Sequence, residues 1–263
     1  MPKIGIIGGS GFYDIPGFSH LGEESVETPY GKPSGNYLIT GAEGLEIAFL
    51  PRHGAHHDIA PHKVNYRANI WGMKSLGVER IFGINAVGGI DPKFPPGSIT
   101  VPDQVIDFTF GARQSTFYDQ KDVVHIDFTE PYCPELRHAL IAAAGGEGID
   151  AAPAGTYVCT NGPRLESGAE INFFGRIGGH IVGMTGMPEA ALARELELCY
   201  AALTVVTNCA AGVAGARKLT TSEVVATMAL KTEAIKKILK AAFPLIPQKR
   251  QCPCKNALKD TRL

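Results

Sequence analysis

The chain has 263 residues, a length that suits one large domain or two small ones. Hydrophobic residues make up 44% of it and charged residues only 19%, enough apolar material for a substantial core. The formal net charge is -1 and no block of Lys or Arg stands out, which argues against a nucleic-acid groove or an anionic membrane surface as partner, since both need concentrated positive charge.

In chain order, six short apolar runs read as buried strands: Lys3–Gly8, Leu45–Leu50, Arg80–Asn85, Thr156–Thr160, His180–Met184 and Ala202–Thr207. Amphipathic segments lie between them. Val64, Ala68, Trp71 and Ser75 recur at helical spacing, and Pro134–Ala144, Ala169–Arg176, Pro188–Leu198 and Ser222–Ala242 are further helices. Pro188 fits the first-turn preference of proline. The alternation predicts an α/β sheet with helices on both faces, with ligands bound where strands end and loops begin. No repeat, linker or internal boundary is visible. Residues 1–246 are expected to form one domain, and the polar, Pro-containing stretch 247–263 a weakly ordered tail. The first residues carry no basic region followed by an apolar signal core, and no apolar run reaches the roughly 20 residues of a membrane span, so a cytoplasmic location is expected.

Several strand ends carry residues suited to an anion. Gly8-Gly9-Ser10-Gly11 fails as a dinucleotide fingerprint because Asp14 stands where the last Gly is needed, and no Walker Lys follows. It is left as a tight turn, or a loop whose amides and Ser10 hydroxyl hold an anion. Arg52-His53-Gly54-Ala55-His56-His57-Asp58 follows a strand and reads three ways. It is a metal site, a solvated loop, or an anion clamp with Arg52 as a planar fork and His53 as a second donor, and the clamp is favoured. Asn85-Ala86-Val87-Gly88-Gly89 closes another strand with small residues that allow close backbone approach to a ligand or to a packed helix. Thr185 precedes the helix at Pro188 and offers a hydroxyl near a helix N-terminus. Thr207-Asn208 ends an apolar strand, where Asn208 needs a hydrogen-bond partner or caps an Asx-turn. Glu166 reads as a ligand contact or as a first-turn helix carboxylate.

Six cysteines are scattered. Cys133, Cys159, Cys199 and Cys209 lie in apolar segments, where free thiols behave as small hydrophobes. Cys252-Pro253-Cys254 reads as a local redox pair or, in preference, as two reduced thiols of the tail. The linear spacing is not that of a zinc motif.

Taken together, Gly8–Gly11, Arg52-His53-Gly54, Val64-Asn65-Tyr66-Arg67-Ala68-Asn69, Asn85–Gly89, Gly162-Pro163-Arg164, Met184-Thr185-Gly186-Met187-Pro188-Glu189 and Val206-Thr207-Asn208 resemble the trimeric purine nucleoside phosphorylase and methylthioadenosine phosphorylase family, in order, from about residue 3 to residue 242. The resemblance implies a single α/β domain with a central mixed, partly barrelled sheet flanked by helices. It implies a phosphate site at Ser10, Arg52, His53, Asn85, Ala86 (through its backbone) and Thr185. Met184 matches the residue lying against the ribose, and Asn208, with Thr207 and Ala210 beside it, matches the purine edge, so Asn208 and His53 are the candidate catalytic residues. His125 matches a position that reaches into the neighbouring subunit's site in the methylthio branch, which implies a homotrimer. Thr221 aligns with a residue near the 5′ group. Inorganic phosphate is the co-substrate, and no metal or organic cofactor is implied.

The adenine-cleaving branch carries Asp at the positions of Asn208 and Ala210; an ionised carboxylate repels O6 of an oxopurine, whereas an amide donates to O6 or N7 without charge. Glu166 matches the residue that accepts from N1–H of a 6-oxopurine, although Leu165 replaces the aromatic that precedes it. The expected activity is therefore phosphorolysis of inosine, guanosine or 5′-methylthioinosine. A 5′-methylthioadenosine phosphorylase, a metal-dependent hydrolase using His53, His56, His57 and Asp58, and a noncatalytic nucleoside-binding module are the alternatives.

Overall fold

The computed structural model describes residues 3–9, 16–42, 44–120, 122–213 and 220–262. An eleven-stranded mixed sheet runs in the order β2-β3-β4-β1-β5-β10-β9-β7, with β11, β6 and β8 joining from the other edge of β5. Its central strands are β1 (Lys3–Gly8), β4 (Leu45–Pro51), β5 (Val78–Gly89) and β11 (Cys199–Cys209), all mutually parallel. They are near-continuous apolar runs because helices cover both faces. Successive residues supply opposite layers: Ile4, Ile6, Leu203 and Val205 pack under α2 (Pro134–Gly146) and α5 (Thr221–Ala242), while Ile7, Tyr200, Ala202 and Val206 face α1 (Tyr66–Ser75) and α4 (Glu189–Glu195).

Local chemistry sets the helix starts. The Asn65 side chain accepts from the Ala68 amide at the head of α1. Ser167 with Glu170, and Thr220 with Glu223, form capping boxes on α3 (Gly168–Arg176) and α5. Pro188 stands at the N-cap of α4 rather than within its first turn, and this helix ends at Glu195, short of the expected Leu198. Three elements lie outside the expected strands: β2 (Ser19–Glu24), β3 (Tyr37–Ala42) and β7 (Gln104–Phe108), along with the two-residue β6 (Ile99–Thr100) and β8 (Ala151–Ala152).

The arrangement around β5 creates the opening used below. Along one edge of β5, β1 pairs only as far as Gly83. From the other direction the antiparallel β10 (Ile181–Gly183) pairs with Gly88 and Gly89. Two strands thus point their C-terminal ends at each other, with Ile84–Val87 left without a strand neighbour along the edge between them among the described residues. Ala86 is exposed within an otherwise buried stretch.

The segment after Pro247 is docked, which corrects the expectation of a weakly ordered tail. Arg80 donates to the Pro247 carbonyl (2.6 Å), Arg250 donates to the Glu197 carbonyl (2.6 Å), and the Glu135 carboxylate accepts from the amides of Gln251 and Cys252 (2.7 and 2.8 Å). Cys252 and Cys254 are buried in the α2/α5 core layer, so they are not surface thiols.

Candidate active site

Residues at the ends of β1, β4 and β10 meet at the gap beside Ile84–Val87. The chain leaving β4 is tied to β1 by the Arg52 amide, which donates to the Gly8 carbonyl (3.0 Å). The Arg52 side chain is 2% exposed. Its Nε and Nη2 donate to the two carboxylate oxygens of Glu189 (2.5 and 2.9 Å), Nη2 also to the Ile7 carbonyl (3.2 Å) and Nη1 to the Ile84 carbonyl (2.8 Å). Burial by itself would lower the pKa of Arg52, but the Glu189 carboxylate outweighs it and holds the guanidinium charged. Four of its five N–H groups are therefore committed, and its charge is neutralised. The expected free fork for an anion is revised accordingly: Arg52 braces the floor of the site and keeps a single Nη1 N–H uncommitted among the described residues.

The sequence alone assigns Glu189 no role. It is fully buried, and the Tyr200 hydroxyl also donates to it (2.8 Å). Tyr200 fits because residue 83 is Gly: a Cβ there would lie 2.0 Å from the tyrosine oxygen.

His53 is half-buried, and its Nδ1 lies 2.8 Å from the Ile59 carbonyl. A carbonyl only accepts, so Nδ1 carries the proton and Nε2 is left as an acceptor in the neutral ring. Burial, then the charge of Arg52, push its pKa down to about 4. The expected role of second donor is corrected: at neutral pH the His53 ring offers a lone pair at Nε2. Its Nδ1 is occupied, and among the described residues no group containing His56, His57 or Asp58 is gathered as a metal-ligand set.

Across the gap, the Asn85 side chain donates to the Thr185 hydroxyl oxygen (2.7 Å), both residues being buried. With its oxygen accepting from Asn85, the Thr185 hydroxyl keeps its own proton as a donor. The Asn85 Oδ1 atom is buried and has no partner among the described residues. Such an atom is costly unless a ligand satisfies it. Alternation along β5 puts the Ala86 amide on the same edge as the Ile84 carbonyl, facing the gap. Ser10 lies outside the described residues.

Further polar groups stand at the ends of β9 (Thr156–Thr160) and β11. Asn208 follows a register shift in the β5–β11 ladder. Its Oδ1 accepts from the Thr207 hydroxyl (2.7 Å) and its Nδ2 donates to the Cys209 carbonyl (2.8 Å), leaving one N–H free to donate. Ala210 is buried against Ile171 and Phe174 of α3. Beyond it Gly212, at φ +76°, brings the chain so close to Gly168 that a Cβ would lie 3.0 Å from the Gly168 Cα. This close approach joins the segment after Asn208 to the start of α3, two residues beyond Glu166. The Thr160 hydroxyl donates to Glu166 Oε1 (2.5 Å), so Oε2 remains to accept. Glu166 lines a cavity of about 490 Å³ with Phe108, Asn161 and Phe174, a volume in the range of small-molecule sites.

Arg113, absent from the sequence reading, connects the two halves. It donates to the carbonyls of Met184 (2.7 Å), Asn161 (2.9 Å) and Met187, and to the Tyr66 hydroxyl (3.1 Å). Met184 is half-buried, with its sulfur against Gly162. Thr221 is exposed at the start of α5, and His125 is exposed, its amide donating to the Thr261 carbonyl (3.0 Å).

Comparison with known proteins fits this geometry. The Phosphorylase superfamily profile matches residues 3–244. A protein named 6-oxopurine nucleoside phosphorylase from Pyrococcus furiosus is 54% identical over 98% of both chains. A probable S-methyl-5'-thioinosine phosphorylase from Thermodesulfovibrio yellowstonii is 52% identical, over 98% of this chain and 96% of its own. An S-methyl-5'-thioadenosine phosphorylase from Pyrococcus abyssi is 44% identical over 98% of both. The crystal structure of methylthioadenosine phosphorylase from Schistosoma mansoni with adenine superposes with a TM-score of 0.91 at 34% identity, covering 98% of this chain and 96% of that one.

Proposed function

Because this chain belongs to the phosphorylase superfamily, we propose that it cleaves 6-oxopurine nucleosides with inorganic phosphate, releasing the free base and ribose 1-phosphate or its 5-methylthio analogue. The choice of base rests on two polar groups that this reading assigns to the base side: an Asn208 amide with one N–H to donate, and a Glu166 carboxylate with one oxygen to accept. O6 and N7 of an oxopurine accept and N1–H donates, so both groups are satisfied. Adenine presents a bare acceptor at N1 and leaves Glu166 facing a lone pair. The greater identity to relatives named for 6-oxopurine and methylthioinosine substrates supports the same choice.

In this reading, phosphate lies in the gap beside Ile84–Val87. It receives hydrogen bonds from the Thr185 hydroxyl, the Ala86 amide and the remaining Arg52 N–H, with Ser10 completing the site. A protonated phosphate oxygen satisfies Asn85 Oδ1 or His53 Nε2, both acceptors. A phosphate oxygen attacks C1′ as the bond from C1′ to the purine nitrogen breaks; the electron pair stays on the base, whose developing charge at N7 and O6 is met by Asn208. Positioning of the two reactants and preorganised hydrogen bonds supply the acceleration, with no covalent enzyme intermediate. No helix among the described residues is long and apolar enough to cross a membrane. A cytoplasmic homotrimer is part of the proposal, with the exposed His125 at a subunit boundary; light scattering of the purified chain tests it. The activity is tested by a panel of inosine, guanosine, methylthioinosine, adenosine and methylthioadenosine, each with and without phosphate. Cleavage of the three oxopurine nucleosides only when phosphate is present supports the proposal.

A further inference from the structure

Four cysteines distant in sequence meet inside the α2/α5 core layer. Cys133 is the N-cap of α2, Cys199 opens β11, and Cys252 and Cys254 flank Pro253 in the docked C-terminal segment. All four are buried, none above 4% exposed, and their sulfur atoms all lie within 4.8 Å of one another. The closest pair, Cys199 and Cys252, is 3.4 Å apart.

We propose that these four thiols are a closed, structural binding site for one soft divalent metal ion of the zinc class, which bolts the C-terminal segment to the core. Four sulfurs about 2.3 Å from a tetrahedral ion are about 3.8 Å from one another, which is the scale of this cluster. A Cys₄ set has no open position and no contact with the phosphate gap or the base side, so the ion is architectural. On binding, four S–H bonds give their protons to solvent and four thiolates coordinate the ion, leaving a site of net charge -2 with a divalent metal. Two features offset that charge. Cys133 sits at the N-terminus of a thirteen-residue helix, where the backbone dipole favours negative charge, and the positive charge of Arg194 acts on Cys254. The sequence conceals the site because the ligands come from three segments, only two of them adjacent in the C-x-C pair.

The full chain, produced in zinc-supplemented medium and purified without chelator, tests this by elemental mass spectrometry combined with thiol titration in denaturant. One zinc per chain is expected, lost in the Cys252→Ser/Cys254→Ser double variant, which melts several degrees lower while retaining phosphorolysis at low temperature. Because the double variant has alternative ways to fail, the unmodified chain is also stripped and reconstituted with cobalt(II), where intense thiolate-to-cobalt absorption and tetrahedral d–d bands are expected. Metal-free protein with all six thiols of the chain titratable, protein in which the four clustered cysteines are paired as disulfides, or cobalt spectra without thiolate bands would each overturn the proposal.

Discussion

Arg52 and Glu189, 137 positions apart in sequence, meet in a bidentate ion pair at 2.5 and 2.9 Å with side chains 2% and 0% exposed. The pair is completed by the Ile7 and Ile84 carbonyls on one side and the Tyr200 hydroxyl on the other. It therefore fixes the ends of β1 and β4 and the middle of β5 relative to α4. Removing one member of such a pair strands the other charge in the core, so Glu189→Ala is expected to lower unfolding free energy by about 3–5 kcal/mol. Denaturant titration reads this directly; a loss below about 1 kcal/mol, the scale of an exposed ion pair, would show that the pair does not brace the site.

Thr185 accepts a hydrogen bond from Asn85 and keeps its own hydroxyl proton to donate. Thr185→Val keeps the shape and removes the donor. Losing a hydrogen bond to a charged ligand is worth about 1.5–3 kcal/mol, so the KM for phosphate should rise about tenfold to a hundredfold. The KM for nucleoside should change much less. An unchanged phosphate KM would take Thr185 out of the phosphate site.

In the proposed complex, Asn208 decides the base. Asn208→Asp places a carboxylate where O6 lies in the proposed complex, and kcat/KM for inosine should fall by about two orders of magnitude or more, given the discrimination buried polar mismatches achieve. The adenosine-to-inosine ratio should rise with it. A ratio unmoved by this substitution would remove Asn208 from base recognition.

His53 has a folded-state pKa of about 4, below the 6.5 of an unperturbed imidazole. The unfolded chain thus binds a proton as pH falls through about 6.5 while the folded chain does not. The contribution of neutral His53 to stability is complete above that pH and is lost as pH falls toward 4. A His53→Gln variant lacks this titration, so the difference in Tm between it and the unmodified chain should shift between pH 7 and pH 4 and stay constant above pH 7. An imidazole titrating above pH 6 by NMR would contradict the buried neutral ring.

The legible parts of the fold were those where local sequence and tertiary demand agree. The strands β1, β4, β5 and β11 are apolar on both faces because both are covered, and the helices α1, α3 and α5 carry their own caps. The strand β2, reading Ser-His-Leu-Gly-Glu-Glu, lies at the sheet's edge and is mostly exposed, so no apolar period marks it. At the site, residue types and strand-end positions were readable, but hydrogen-bond polarity was not. The commitment of Arg52 depends on Glu189, and the acceptor character of His53 depends on the Ile59 carbonyl six residues away. Arg113 sits in a loop without periodicity, and only the folded chain shows the carbonyls it gathers. The C-terminal segment read as a tail because its burial comes from partners far upstream, Arg80, Glu135 and Cys199 among them.

Everything proposed for the reaction rests on phosphate as the nucleophile toward an oxopurine nucleoside. Purified chain incubated with inosine, with and without phosphate, tests this most directly, with hypoxanthine and ribose 1-phosphate measured together. Equimolar formation of the two products, dependent on phosphate and far slower for hypoxanthine's replacement by adenine, is the expected result. Release of hypoxanthine at the same rate without phosphate, or adenosine cleaved as fast as inosine, would contradict it.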